Sequence, residues 1–318
     1  MSRIATFLLF LLLLIGQDAV SREYIVKFRS SNAISVLQQQ PHVYHILDYH
    51  EPGQLMKISV ADHQLARTMV SLISDPQVEY VVPNFKLYAF APIVEYDEIQ
   101  QLLREQYALK KVRAEEAWQK AGNRGSRKIV VAVIDTGVDY RHPDLAPNMV
   151  AGYDFAGKDN DPMDETSAQN PGHGTHCAGI VGSTGLVENG MLGLSPEVSM
   201  MPLRFLNKDG SGDLMDGIRA IDYAIEKKVD VISASWGARV SRAVARPLIE
   251  AVERAEKAGI VFVVAAANDG KNNDVTDVYP ANANLSNTIS VAASNASDTK
   301  PRWSNYGRAM VHVSSPGE

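Results

Sequence analysis

Residues 128–134, KIVVAVI, constrain this chain more than any other stretch. The run is apolar and β-branched without alternation, the pattern of a strand covered on both faces. Such a strand belongs inside a parallel sheet and needs helices above and below it. The chain supplies both. Further strands are expected at 198–205, 229–233, 260–266 and 288–293. A helix is predicted over 213–227, with Leu214, Ile218, Ile221 and Ile225 on one face. A second is predicted over 242–258, with Val244, Leu248, Val252 and Ala255 inward and Gly259 as its stop. Strands alternating with helices of this length give an α/β fold, a parallel sheet with helices on both faces.

Residues 23–90 follow another pattern, that of a small α+β unit. Tyr24, Val26 and Phe28 alternate with other residues, as in a half-buried strand. A second strand fits 55–60. Asp62 caps a predicted helix carrying Leu65, Met69 and Leu72, which Asp75-Pro76 ends, and strand character returns at 78–82. Residues 91–104 are polar and acidic, an expected exposed connection. At the start, Arg3 precedes an apolar run over 4–16 that is short of the roughly 20 residues a bilayer requires. It matches the core of a signal peptide, expected to span 1–19 with cleavage near Ala19. The expected destination is extracellular or periplasmic; an uncleaved anchor is the alternative.

With 45% hydrophobic and 21% charged residues, the chain has the composition of a globular protein. A net charge of −6 argues against a nucleic-acid partner. One cysteine, Cys177, excludes an intramolecular disulfide. A monomer is expected.

Ligands bind beyond the carboxyl ends of strands in an open parallel sheet. Asp135 stands there, directly after KIVVAVI. Thirty-eight residues later comes HGTHCAG (173–179), read as a loop entering a helix. A carboxylate on one ring nitrogen of His173 would fix the tautomer and leave the other nitrogen as a general base. Two alternatives stand beside this: a zinc site built on His173 and His176 with Cys177 or Asp135, and two structural histidines. Asp159, Asp161 and Asp164 form an acidic cluster that suits either calcium or solvent.

DTGVDYRHPDL (135–145) together with HGTHCAG resembles the subtilisin-like serine proteases, the subtilases, in motif and in the Asp-then-His order. The likeness continues through GLSP, KDGSG, DVISASWG, VVAAAND, YPA and VSSPG. It implies a subtilisin-like sheet over 105–318 and an inhibitor-type, ferredoxin-like propeptide over 20–90. That propeptide would be both folding aid and intramolecular inhibitor, with its cut site in the stretch 86–104. Asp135 would orient the imidazole, His173 act as base, and Asn268 donate to the oxyanion. Losing such a donor costs about 3–4 kcal/mol, a magnitude established on subtilisin itself. Ser235, Trp236 and Gly237 match the edge that pairs with a protein or peptide substrate. Family members commonly carry glycine where Ala267 stands, beside the primary specificity pocket. Gln106 and Asp144 match calcium ligands, and Asn189 lies in the loop expected to complete their site, a loop one residue longer here than in subtilisin.

The family's nucleophile sits in a Gly-Thr-Ser-Met-Ala motif downstream of a segment like VHVSSPG. No Gly-Thr-Ser occurs in these 318 residues. The expectation is a secreted endopeptidase zymogen whose given sequence stops short of the serine and is inactive as it stands. The alternative is a catalytically dead, peptide-binding pseudoprotease.

Overall fold

The computed structural model describes residues 23–30, 44–90, 106–186 and 190–318. The expected signal peptide, the connection over 91–104 and Asn189 lie outside the described residues. The chain divides into two compact units, one up to Phe85 and one from Lys86 onward.

The first unit contains β1 (Glu23–Phe28), β2 (His45–His50), β3 (Leu55–Ser59), α1 (Leu65–Ser74) and β4 (Val78–Pro83). Its sheet has the order β2-β3-β1-β4 and is antiparallel throughout. This is the strand order of a ferredoxin-like unit, and it fits a small propeptide domain. Val26, Phe28, Met56, Ile58 and Val81 pack against Met69 and Leu72 of α1. The helix begins later than its acidic residue suggests. Asp62 lies inside a short 3-10 turn (Asp62–Gln64), and no side chain caps α1.

The second unit runs through β5 (Lys86–Ala89), α2 (Tyr107–Lys111), α3 (Ala114–Ala121), β6 (Val130–Asp135), β7 (Tyr153–Asp154), α4 (His173–Gly182) and β8 (Ser199–Arg204). It continues through β9 (Ser211–Asp213), α5 (Leu214–Glu226), β10 (Val231–Ala234), β11 (Trp236–Gly237), α6 (Arg246–Lys257), β12 (Val261–Ala265), β13 (Thr288–Ser294) and β14 (Val313–Pro316). Its main sheet is ordered β14-β13-β12-β10-β6-β8-β7, and every pairing in it is parallel. On one face Val131 and Val133 of β6 meet Ala178 of α4 and Met200 of β8. The other alternates, Ala132 and Ile134, are fully buried too, so both faces of β6 are covered as its sequence predicts. Asp213 caps α5 by accepting from the Met215 N–H at 2.9 Å. The helix predicted over 242–258 is shorter, because residues 241–245 form a turn and Pro247 stands in the first turn of α6.

From β6 the sheet grows in two directions, through β8 on one side and β10 on the other. The carboxyl end of β6 is therefore where a crevice opens. Phe262, the second residue of β12 and 0% exposed, anchors this half of the core. Phe262→Ala should destabilise the second unit by about 3–5 kcal/mol. A urea midpoint within the error of the wild type would contradict that packing.

Candidate active site

Asp135 ends β6 and is 1% exposed. A carboxylate taken from water needs partners, and its Oδ1 has two. Thr136 N–H donates to it at 2.7 Å, and His173 Nδ1 lies 2.7 Å away. The close approach depends on Gly174. A Cβ there would meet the Gly137 carbonyl oxygen at 2.1 Å and the Asp135 Cβ at 3.0 Å. Glycine alone lets the first turn of α4 reach the end of β6.

The other ring nitrogen, Nε2, lies 3.1 Å from the Phe90 carbonyl oxygen. Carboxylate and carbonyl are both acceptors, so this pair of contacts favours a ring protonated on both nitrogens. Burial pulls the His173 pKa down. The Asp135 charge and hydrogen bond, the Phe90 carbonyl and the Asp164 charge outweigh it and hold the pKa above the ordinary histidine value. The charged pair thus contributes fully below the free value of about 6.5 and loses its contribution as pH rises through the higher folded value.

Phe90 is there because β5 runs as an inserted strand. It pairs antiparallel with β9 on one side and β11 on the other. Trp236 faces Ala89 and Gly237 faces Tyr88; Phe90 N–H donates to the Ser235 carbonyl and Ala89 N–H to that of Gly210. Ser235, Trp236 and Gly237 thus pair with residues 88–90 of the chain itself. Trp236 has a second role, since its ring is fully buried, donates from Nε1 to the Ile134 carbonyl at 2.7 Å and meets Phe205 edge to face. Leu87 is fully buried while Tyr88 is exposed, as strand alternation dictates. A Cβ at Gly237 would lie 2.8 Å from Phe90 Cζ, so the aromatic ring packs over that glycine.

Asn268 follows β12 at the same rim of the sheet, since the strands are parallel. Its loop hangs on Asn305, which is fully buried. Asn305 accepts from the N–H groups of Asp269 and Lys271, and its own N–H donates to the Ala267 carbonyl. Its amide reaches Asn273 Oδ1, and Asn273 in turn donates to the Ala266 carbonyl.

Asp135, His173 and Cys177 offer ligand atoms within 4.8 Å of one another. The histidine and aspartate already satisfy each other. Burial and the Asp135 charge push the Cys177 thiol pKa far up, so it stays protonated, a poor ligand and a poor nucleophile. The trio is an Asp–His pair with a thiol beneath it, and His176 stands outside it. Of the acidic cluster, Asp164 is buried at the start of α4, whereas Asp159 and Asp161 are exposed. Gln106 and Asp144 both reach the loop around 184–192: Leu192 N–H donates to Gln106 Oε1 at 3.0 Å and Leu186 N–H to Asp144 Oδ1 at 2.6 Å.

The model of the Subtilase family matches residues 126–318. The chain belongs to the subtilase family. This subtilase is 37% identical to thermitase of Thermoactinomyces vulgaris over 212 residues, which cover 67% of the chain and 70% of thermitase. It is 29% identical to subtilisin NAT of Bacillus subtilis subsp. natto over 306 residues, 95% of the chain and 73% of that protein. The major intracellular serine protease of Bacillus subtilis (strain 168) is 34% identical over 228 residues, 71% of the chain and 69% of that relative. Among solved structures, a cold-adapted subtilisin-like serine proteinase matches with a TM-score of 0.52 at 28% identity, covering 61% of this chain and 65% of that one. The chain therefore spans about two thirds to three quarters of the length of these relatives. No helix among the described residues is long and apolar enough to cross a membrane.

Ala267, 3% exposed, holds a φ of +88°. A side chain there costs about 1–2 kcal/mol, against the roughly 0.4–1 kcal/mol of extra chain entropy that glycine brings. Ala267→Gly should therefore raise stability by about 0.5–1 kcal/mol. A lower thermal midpoint for the variant would show that the methyl's packing outweighs its strain.

Proposed function

We propose that this subtilase is a secreted serine endopeptidase made as a zymogen, with residues 1–19 as signal peptide and 20–90 as inhibitory propeptide. The lie of residues 86–90 carries this reading. They form a strand bonded on both sides, and they end with the Phe90 carbonyl on the nitrogen a general base would use. A substrate read through its backbone adds itself to an enzyme in the same way. While the segment stays in place, the base is occupied and the cleft is filled.

The chemistry that suits this arrangement is acyl transfer. Asp135 holds the imidazole in one orientation. His173 takes the proton of an attacking serine hydroxyl and passes it to the leaving amine, and Asn268 donates to the oxyanion. The serine is expected in a Gly-Thr-Ser segment, which residues 1–318 do not contain. A polypeptide ending at Glu318 should therefore cleave no peptide. An in-frame Gly-Thr-Ser beyond codon 318 supports the enzyme; a gene without one supports the peptide-binding pseudoprotease.

The Phe90–Ala91 bond is the processing site this reading selects, because Phe90 is the residue whose carbonyl meets the base. The gene product carrying the serine should mature to a form starting at Ala91, read by N-terminal sequencing. His173→Ala should abolish this and lower peptide hydrolysis by about 10⁴-fold or more. Undiminished processing by that variant would sink the protease reading, whereas a start elsewhere in 91–104 would overturn only the choice of Phe90.

Calcium is the expected cofactor. Gln106 and Asp144 present an amide and a carboxylate oxygen to one loop, a donor set suited to a hard cation, with Asn189 as a further ligand. The ion would brace this loop beside α4. Calcium at a hundredfold its Kd should add about 2.7 kcal/mol of stability. Chelation should remove that increment in the wild type and change nothing in Asp144→Asn; a chelator-insensitive wild type would dismiss the site.

A further inference from the structure

The first turn of α4 is buried at His173 and Gly174, so its backbone N–H groups need partners within the protein. His173 N–H donates to Asn170 Oδ1 at 2.7 Å, Gly174 N–H to Thr136 Oγ1 at 2.9 Å, Thr175 N–H to Asp164 Oδ2 at 2.9 Å, and His176 N–H to the Gly172 carbonyl at 2.9 Å. Asp164 stands behind the first three. Its Oδ1 accepts from the Thr136 hydroxyl at 2.9 Å and the Asn170 amide at 3.4 Å, and its Oδ2 also accepts from the Thr175 hydroxyl at 2.7 Å. One carboxylate, 9% exposed, thus ties the residue after Asp135 to the residue two beyond His173.

Helix capping alone does not call for a charge there, since a neutral serine or asparagine caps as well. A buried carboxylate costs more than either. We propose that Asp164 is a positioning residue for the base, clamping Thr136 to Thr175 so that Asp135 and His173 stay in register, and supplying a second negative charge that favours the protonated imidazole. This deepens the protease reading and rests on it.

The surrounding charges leave Asp164 room to act. His173 is faced by Asp135 from β6, by Asp164 from the loop before α4, by His176 and Cys177 on α4, and by the neutral Phe90 carbonyl next to β5. Desolvation and the His173 charge lower the His176 pKa, and Cys177 stays a neutral thiol. Arg204 of β8, beside Asp135 in register, is held by Asp154 and Glu165. Asp164 adds to the upward pull on His173.

The test is a ring-nitrogen NMR titration of His173 in the full chain carrying Asp164→Asn or Asp164→Ser, using whichever keeps the wild-type circular dichroism. The midpoint should fall by about 0.5–1 pH unit. Thr175→Val, which removes the hydroxyl's hydrogen bonds to Asp164 and from Asp139 N–H but no charge, should move it by less than half as much. An unchanged midpoint in the Asp164 variants, an equal shift in Thr175→Val, or loss of fold in both Asp164 variants would overturn the proposal. No turnover is needed, so the result stands apart from the hydrolysis experiments that test the protease reading.

Discussion

Everything at the rim of this sheet follows from one hydrogen bond, that between Asp135 and His173. It joins the end of a buried strand to the start of a buried helix, two places where a polar group without a partner is expensive. The fold meets both needs at once. The carboxylate answers the imidazole, and the glycine at 174 lets the helix come close enough for it to do so. Each neighbouring feature preserves this contact: the threonine after the aspartate, the asparagine before the helix, and the thiol that stays neutral below. The pair is also a poised acid–base couple, because its charged form is favoured by the same groups that hold its geometry.

The cleft beside this pair is made of backbone more than of side chains. The edges of β9 and β11 offer main-chain groups, and the side chains that hold those edges point elsewhere. Trp236 illustrates the division: its backbone pairs with Ala89 while its ring braces β6 from below. The loop carrying Asn268 is held in the same spirit, by buried amides at 273 and 305. Stability and recognition draw on different atoms of the same residues.

The sequence announces strands buried on both faces and the pairing of Asp135 with His173, because continuous β-branched runs and adjacent motif residues are local signals. It does not announce β5. Four residues after a proline and an asparagine carry no period of their own, and their extended form comes from partners more than a hundred residues away. β2 is hidden for another reason, a register irregularity between Ile46 and Asp48 that breaks its alternation. Asp164 is masked by company: in sequence it belongs to an acidic cluster, and only the fold separates it from its exposed neighbours. Asn305 gives no signal at all, since a buried amide that organises a loop reads like any surface asparagine.

The insertion of β5 between two flanking strands has a geometric consequence for whatever replaces it. A guest must present unpaired N–H and C=O groups to left and right together, over a length of about 17 Å for five residues. A helix spends those groups on itself, and a strand within a sheet has already given them to its neighbours. Only a loosened stretch of chain fits such a slot, whatever its side chains.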